Sequence, residues 1–296
     1  MQYSRARAAL AAYVEPNITT GANMNRRHFL KLAATAGLVA QVNGFGQTTA
    51  ANRGSAKKGI GLSTRDEHWR DKLNSLRTQW MYTWGSRKPN GLPAGVEFVP
   101  MVWGYRDAAR LKNELANCQQ SGGPAVLAFN EPDGKDQANF SVETALEAWP
   151  QLMAANVKLG SPACVQPDGE WMRSFMERAE KLKFRVDFVC VHSYGGPNAG
   201  AFVKRLTKVH EMFGRPLWIT EFGVGDWNAK SLKENRHSRE SVLAFMKECL
   251  PALDELSFLE RYAWFASDAT SPQLGTSALL NPDQTLTPLG QFYAAH

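Results

Sequence analysis

The sequence is short of the signatures that announce most chemistries. Its four cysteines, Cys118, Cys164, Cys190 and Cys249, form no C-x-x-C pair. A structural zinc site therefore has no ligand spacing to rest on. No H-E-x-x-H occurs, so no catalytic metal is implied, and no G-x-S-x-G elbow offers a serine nucleophile. No G-x-G-x-x-G follows the first strand-like run, which removes the dinucleotide fingerprint, and no cofactor is implied. No apolar run is long enough to span a bilayer. An excess of one charge is missing too, once its location is considered. The net charge is +6, but six of the 34 basic residues and one of the 28 acidic ones lie in residues 1–56. The remaining 28 and 27 nearly cancel, so the rest of the chain carries no electrostatic footprint for nucleic acid.

What is present beyond residue 56 is an alternation of short apolar runs and helical patterns. The runs lie at 57–63, 79–85, 96–104, 124–131, 157–163, 186–194, 216–223 and 261–267. Several are continuously apolar, as expected of parallel strands covered on both faces. Helical patterns fall between most of them, at 106–120, 141–157, 170–182, 199–213 and 236–250. Ser141 is placed to cap the second of these, although Thr144 three residues on leaves the capping box incomplete. Eight strands with intervening helices over residues 57–296 fit a single (β/α)8 TIM barrel in the α/β class. The four thiols fit packed apolar positions better than a disulfide, which the sequence alone cannot pair.

Two of the runs end in glutamate. In "PAVLAFNEPD" (124–133) the fourth run stops at Glu131, and in "WITEFG" (218–223) the seventh carries Glu221. Catalytic groups in these barrels sit at the C-terminal ends of strands, and strands four and seven face each other across the mouth. Two carboxylates converging on one cleft are the machinery of glycoside hydrolysis. Pro132 is expected to stop the strand and to hold Glu131 in an extended conformation.

The stretches "FNEPD", "VCVHSYGG", "WITEFG", "YAWFA" and "SALLNPDQTLTPLGQFYA" resemble the retaining glycoside hydrolases of clan A, and more narrowly glycoside hydrolase family 128, over residues 57–296. The resemblance implies β-1,3-glucan as substrate, Glu131 as acid/base, Glu221 as nucleophile, and Asn130 as a hydrogen-bond partner of the sugar 2-hydroxyl. An acid must stay protonated near neutral pH, which desolvation or the neighbouring Glu221 anion would favour.

Around this pair, His192 and Tyr194 end the sixth run and are placed to orient Glu221. Trp264, in the eighth, is expected to floor the subsite of the cleaved sugar. Tyr82, Trp84, Trp103 and Tyr105 end runs two and three, where aromatic rings stack on the apolar faces of sugars. Trp171 and Trp227 are candidate loop contacts. The chain is read as a monomeric, endo-acting glycosidase. A barrel that binds β-glucan without cleaving it, and a clan A enzyme for another linkage, remain open at this point. Loss of either glutamate would favour the pure binder, and both are present.

Residues 1–56 read as an export signal and lead. "MNRRHFLKLAATAGLVA" (24–40) has paired arginines, then Phe29-Leu30-Lys31, then a short apolar run, with "TTAA" (48–51) as a small-residue cleavage site. It resembles a twin-arginine signal starting at Met24, with Asn25 in place of the more usual Ser or Thr. The expected location is periplasmic or extracellular. Changing Arg26 and Arg27 together to lysine should leave the precursor in the cytoplasm, as read by fractionation. An unchanged exported yield would exclude the signal.

Overall fold

The computed structural model describes residues 54–296; the segment read as an export signal lies outside them. Eight strands follow in order: β1 (Lys58–Gly61), β2 (Trp80–Tyr82), β3 in two pieces (Glu97–Phe98 and Met101–Val102), β4 (Ala125–Asn130), β5 (Lys158–Ala163), β6 (Val189–Gly195), β7 (Leu217–Val224) and β8 (Leu259–Phe265). The helices are α1 (Trp69–Leu76), α2 (Ala108–Ser121), α3 (Val142–Met153), α4 (Glu170–Lys181), α5 (Ala199–Phe213), α6 (Arg239–Glu255) and α7 (Pro288–Ala295). All strand pairs are parallel. One ladder runs β3-β2-β1-β8-β7-β6 and a second runs β3-β4-β5. Pro100 interrupts β3, and a Gly160–Phe188 bridge joins β5 to β6, so the ladders complete a TIM-type barrel. The departure from a regular (β/α)8 plan lies between β2 and β3. Residues 83–96 contain Pro89, Pro93, Gly85, Gly91 and Gly95, and form a loop where a helix would stand.

Helix starts follow local chemistry. Asp107, Ser141, Asn198, Ser238 and Thr287 each accept a backbone N–H from three residues on, at 2.8–3.3 Å. Such caps satisfy donors that the first turn leaves unpaired. Gly122 and Gly214 end α2 and α5 with φ of 64° and 60°.

The core has an inside and an outside. Trp80, Tyr82, Met101, Leu127, Phe188 and Trp218 fill the barrel interior, while Ile60, Met81, Leu217 and Ile219 face the helices. The period-2 alternation of strands divides them, Trp80 inward and Met81 outward, Trp218 inward and Ile219 outward. Phe188 stacks on Trp218 at 4.1 Å, and Trp80 lies 5.8 Å from Trp218. The Trp80 ring covers Gly59 so closely that a Cβ there would lie 2.1 Å from the indole. The four cysteines are buried and free.

The first and last described elements, β1 and α7, meet here. The Lys58 side chain is fully buried, and its Nζ donates to the carbonyls of Tyr293 (2.8 Å) and Ala294 (3.4 Å) in the last turn of α7. Tyr293 in turn donates to the Gly59 carbonyl at 2.5 Å. Burial, and then the nearby Arg77, lowers Lys58 from 10.5 to about 8. Between those two values the unfolded chain binds more protons than the folded one, so this group makes stability rise with pH there. Below about pH 8 the cost of burying the ammonium is fully present. Lys58→Met should remove the dependence: in denaturant titrations the wild type should gain stability relative to the variant from pH 8 to pH 10. A constant difference would contradict the assignment.

Candidate active site

Glu131 lies immediately after β4, and Glu221 lies within β7, three residues before that strand ends. Both are buried, with 1% and 4% of their surface exposed. One side chain lies against both. His192, in β6 and paired in register with Glu221, places Nδ1 3.0 Å from Glu131 Oε1 and Nε2 3.5 Å from Glu221 Oε1. One carboxylate oxygen of each glutamate and the imidazole nitrogen all fall within 4.8 Å of one another. Three such atoms could bracket a cation. Here both Glu221 oxygens already accept hydrogen bonds from neutral donors, which is the arrangement of a carboxylate held for chemistry of its own.

Those donors come from two strands and their ends. Tyr82 (3.1 Å) and the Trp84 indole N–H (2.8 Å) donate to Glu221 Oε1, and Tyr194 donates to Oε2 at 2.5 Å. Tyr82 reaches the Thr220 carbonyl as well, at 3.1 Å. Burial, and then the adjacent Glu221, pushes the Tyr82 hydroxyl well above its ordinary value, so it remains a donor. Hydrogen bonds to a carboxylate favour its charged form. Glu221 is thus built as an anion.

The backbone at Glu131 departs from expectation. Its φ is 45°, not extended, and Phe129 and Trp84 also have positive φ, of 53° and 59°. The Glu131 N–H donates to the Ala163 carbonyl of β5 at 2.7 Å, and β4 shifts register against β5 twice between Val126 and Asn130. The turn that aims Glu131 is therefore fixed by the neighbouring strand. Pro132 ends the strand without dictating an extended residue before it. Strained backbone at non-glycine positions persists where surrounding structure over-determines it, and it gathers at functional sites.

The other expected residues divide. Tyr82 and Trp84 are buried beneath Glu221 and hold it. Asn130 donates its amide to Gln137 Oε1 at 3.1 Å, and its Oδ1 is buried without a hydrogen-bond partner. Trp103, half-buried against the interior cluster, has an indole N–H in the same condition. Tyr105 instead leans on the helix-side cluster that contains Phe129. Trp264 does not floor the cleft. It is fully buried on the outer face of the barrel, 4.9 Å from Phe222 and 6.3 Å from Phe245 of α6, with its N–H on the Ser277 carbonyl. One residue on, the opposite face is inward, and Phe265 takes the expected place. It is half-buried, 5.9 Å from Trp84 and 5.6 Å from Tyr194. Trp171 likewise belongs to the helix layer, stacked on Phe175 with its N–H on the Phe140 carbonyl. Trp227 meets Tyr194 edge-on at 5.6 Å and extends the row Trp84–Phe265–Tyr194–Trp227 along one side of Glu221. Sequence reasoning missed Phe265, because both faces of "RYAWFAS" are apolar and alternation gave no phase. It also missed Asp133, whose carboxylate accepts the Val165 and Gln166 N–H groups and ties the loop after β4 to the loop after β5.

Comparison with known proteins agrees with this geometry. The family model described as glycosyl hydrolase catalytic core matches residues 59–293. A family 128 subgroup I endo-β-1,3-glucanase from Amycolatopsis mediterranei, solved as a variant in complex with laminaripentaose, is 34% identical, with a TM-score of 0.72 over 81% of this chain and 99% of that one. The chain belongs to glycoside hydrolase family 128. A second family 128 structure, a subgroup III curdlan-specific exo-β-1,3-glucanase from Blastomyces gilchristii, is 30% identical, with a TM-score of 0.65 over 83% of this chain and 100% of that one. A subgroup VII oligosaccharide-binding protein from Trichoderma gamsii shares the fold at 23% identity and a TM-score of 0.62, covering 81% of this chain and 92% of its own. No curated protein matches the chain. As a family 128 member it is a glycoside hydrolase with the α/β barrel of its relatives. Among the described residues no helix is long and apolar enough to cross a membrane.

The two faces of β8 give a paired test. Trp264→Ala should cost about 3–5 kcal/mol of stability, as large core truncations do. Phe265→Ala should leave the melting temperature nearly unchanged and lower kcat/KM on laminarin about tenfold, the size of one ring contact. Thermal melts and kinetics together decide; the opposite pattern would reverse the face assignment.

Proposed function

We propose that this chain is an exported, monomeric, retaining endo-β-1,3-glucanase in which Glu131 is the acid/base and Glu221 the nucleophile. The observation that carries the reading is the approach of the two carboxylates, an oxygen of each within 4.8 Å. Retaining enzymes hold their carboxyl groups about 5–5.5 Å apart, while inverting ones leave about 6.5–9.5 Å for a water. The division of roles follows from the hydrogen bonds. Glu221, held ionised by Tyr82, Trp84 and Tyr194, attacks the anomeric carbon as Glu131 protonates the departing glycosidic oxygen. That gives a glycosyl ester on Glu221. Glu131, now a carboxylate, takes a proton from water, whose oxygen displaces Glu221 and restores the start.

Substrate class and endo action are carried over from the subgroup I relative, whose complex holds laminaripentaose. The unmet Asn130 Oδ1 and Trp103 N–H suit sugar hydroxyls, because buried polar groups left unpaired are costly until a ligand fills them. The half-buried aromatic row beside Glu221 suits the apolar face of a glucose ring.

Azide separates the roles. In Glu221→Ala, azide can occupy the vacated space and attack an activated aryl β-1,3-oligoglucoside directly, giving an inverted azide product. In Glu131→Ala the ester still forms from a good leaving group, and azide then yields a product of retained configuration. Nuclear magnetic resonance of the products should show opposite anomers. The reverse pattern would exchange the roles, and unaided cleavage of laminarin by either variant would remove them from the mechanism.

A further inference from the structure

Asn130 closes β4, is 2% exposed, and stands directly before Glu131. Its carboxamide has a donor end and an acceptor end. Gln137 takes the donor end: the Asn130 amide donates to Gln137 Oε1 at 3.1 Å. The acceptor end, Oδ1, is buried with no hydrogen-bond partner. A buried acceptor left unpaired costs free energy that a donor from a ligand would recover. The donors that a glucan brings to this place are hydroxyl groups. Which end of Asn130 meets them is therefore decided by Gln137, a residue of the loop after β4 and not of any strand.

The loop holds Gln137 in place. Two successive turns carry the chain there, with the Gly134 N–H on the Glu131 carbonyl (2.9 Å) and the Gln137 N–H on the Gly134 carbonyl (3.0 Å). The Ala138 N–H then returns to the carbonyl of Asn130 itself at 3.2 Å, and the Phe140 N–H reaches the Pro132 carbonyl at 3.1 Å. Asn130 is thus clamped by its main chain and its side chain at once. The Gln137 side chain lies on Gly134, where a Cβ would stand 3.0 Å from Gln137 Cγ. Neighbouring loops pin the turns from both sides. The Asp133 carboxylate accepts the Val165 and Gln166 N–H groups beyond β5, and Ala138 lies against Gly104 beyond β3, where a Cβ would stand 3.4 Å from the Ala138 Cβ.

We propose that Gln137 is a positioning residue that acts through Asn130: by occupying the Asn130 amide N–H it turns Oδ1 toward the substrate, where that oxygen accepts the 2-hydroxyl of the sugar that Glu221 attacks. The proposal deepens the reading above and rests on it. Hydrogen bonds at the 2-hydroxyl strengthen in an oxocarbenium-like transition state. The electron-poor carbon beside it makes that O–H a stronger donor, so an acceptor fixed in advance favours the transition state over the bound substrate. Gln137 itself gains and loses nothing in the cycle.

The test compares an activated aryl β-1,3-oligoglucoside with its analogue lacking the 2-hydroxyl on the sugar bonded to the aryl group. Gln137→Met fills the space and offers Asn130 no strong acceptor. Its kcat/KM on the hydroxyl-bearing substrate should fall about tenfold, the size of one hydrogen bond, while the 2-deoxy substrate changes by less than about twofold. Gln137→Glu offers acceptors only, so it keeps the same end of Asn130 turned outward. Its preference for the hydroxyl-bearing substrate should stay within about threefold of wild type. The ratio of two substrates within one variant cancels any effect of the added charge on Glu131. Equal losses on both substrates in Gln137→Met would mean that Gln137 only supports the loop, and would overturn the proposal. A preference lost in Gln137→Glu would mean that Asn130 donates to the sugar, and would overturn it too. Should the methionine variant fail to fold, the glutamate variant decides by the same ratio. In an Asn130→Ala background Gln137→Met should add no further loss of preference; an added loss would show Gln137 acting on its own and would contradict the proposal. The azide products of Glu131→Ala and Glu221→Ala test the roles separately, so failure here and failure there are distinguishable.

Discussion

A carboxylate taken out of water is the constraint around which this molecule is arranged. Glu221 is almost fully buried, and an ion in that position must be compensated or it neutralises. Compensation arrives from Tyr82, Trp84 and Tyr194. These residues lie on or just beyond β2 and β6, of which only β6 is a neighbour of the strand that carries the glutamate itself. The distances are satisfied only when the barrel is closed, since β2 and β7 are separated in the ladder by β1 and β8. Closure and charge compensation are in this sense one requirement. The aromatic plug of Trp80, Phe188 and Trp218 below the site supports the same ring of strands from inside.

The second carboxylate is held by a different device. Glu131 stands on irregular backbone, with two register shifts and positive φ at Phe129 and at Glu131 itself. A regular strand end would leave its aim to the side chain alone. Here the Ala163 carbonyl fixes the peptide, and the Asp133 carboxylate fixes the loop that follows. The pair is therefore asymmetric: one glutamate is set by side-chain donors in a straight strand, the other by backbone in a bent one. That asymmetry suits the proposed mechanism, in which one group keeps its charge until it bonds carbon and the other must take and give a proton.

Relatives in the family include endo-acting, exo-acting and oligosaccharide-binding proteins on the same barrel. The fold alone therefore settles little about what a member does to a glucan. In this chain the loop over 83–96 replaces a helix, and the row Trp84–Phe265–Tyr194–Trp227 lines one side of Glu221.

Much of this was legible before any coordinates. Eight apolar runs gave eight strands, because a strand covered on both faces must be apolar throughout, and Glu131 and Glu221 stood out as charges at the ends of such runs. The helical pattern at 199–213 coincides with α5, which Asn198 and Gly214 bound by local capping chemistry. The faces of the strands were another matter. In "RYAWFAS" a residue can be apolar for the barrel interior or for the helix layer, so Trp264 and Phe265 were interchangeable until the sheet set their phase. The conformation of Glu131 also escaped, since its positive φ depends on a carbonyl from β5. The sequence by itself determined roughly where strands begin and end, and put a carboxylate in each of two apolar runs, through local pattern. Only the tertiary structure decided which side chains face one another, including the bridge that His192 makes between two glutamates 90 residues apart. Such contacts arise from the closing of the barrel and have no signature along the chain.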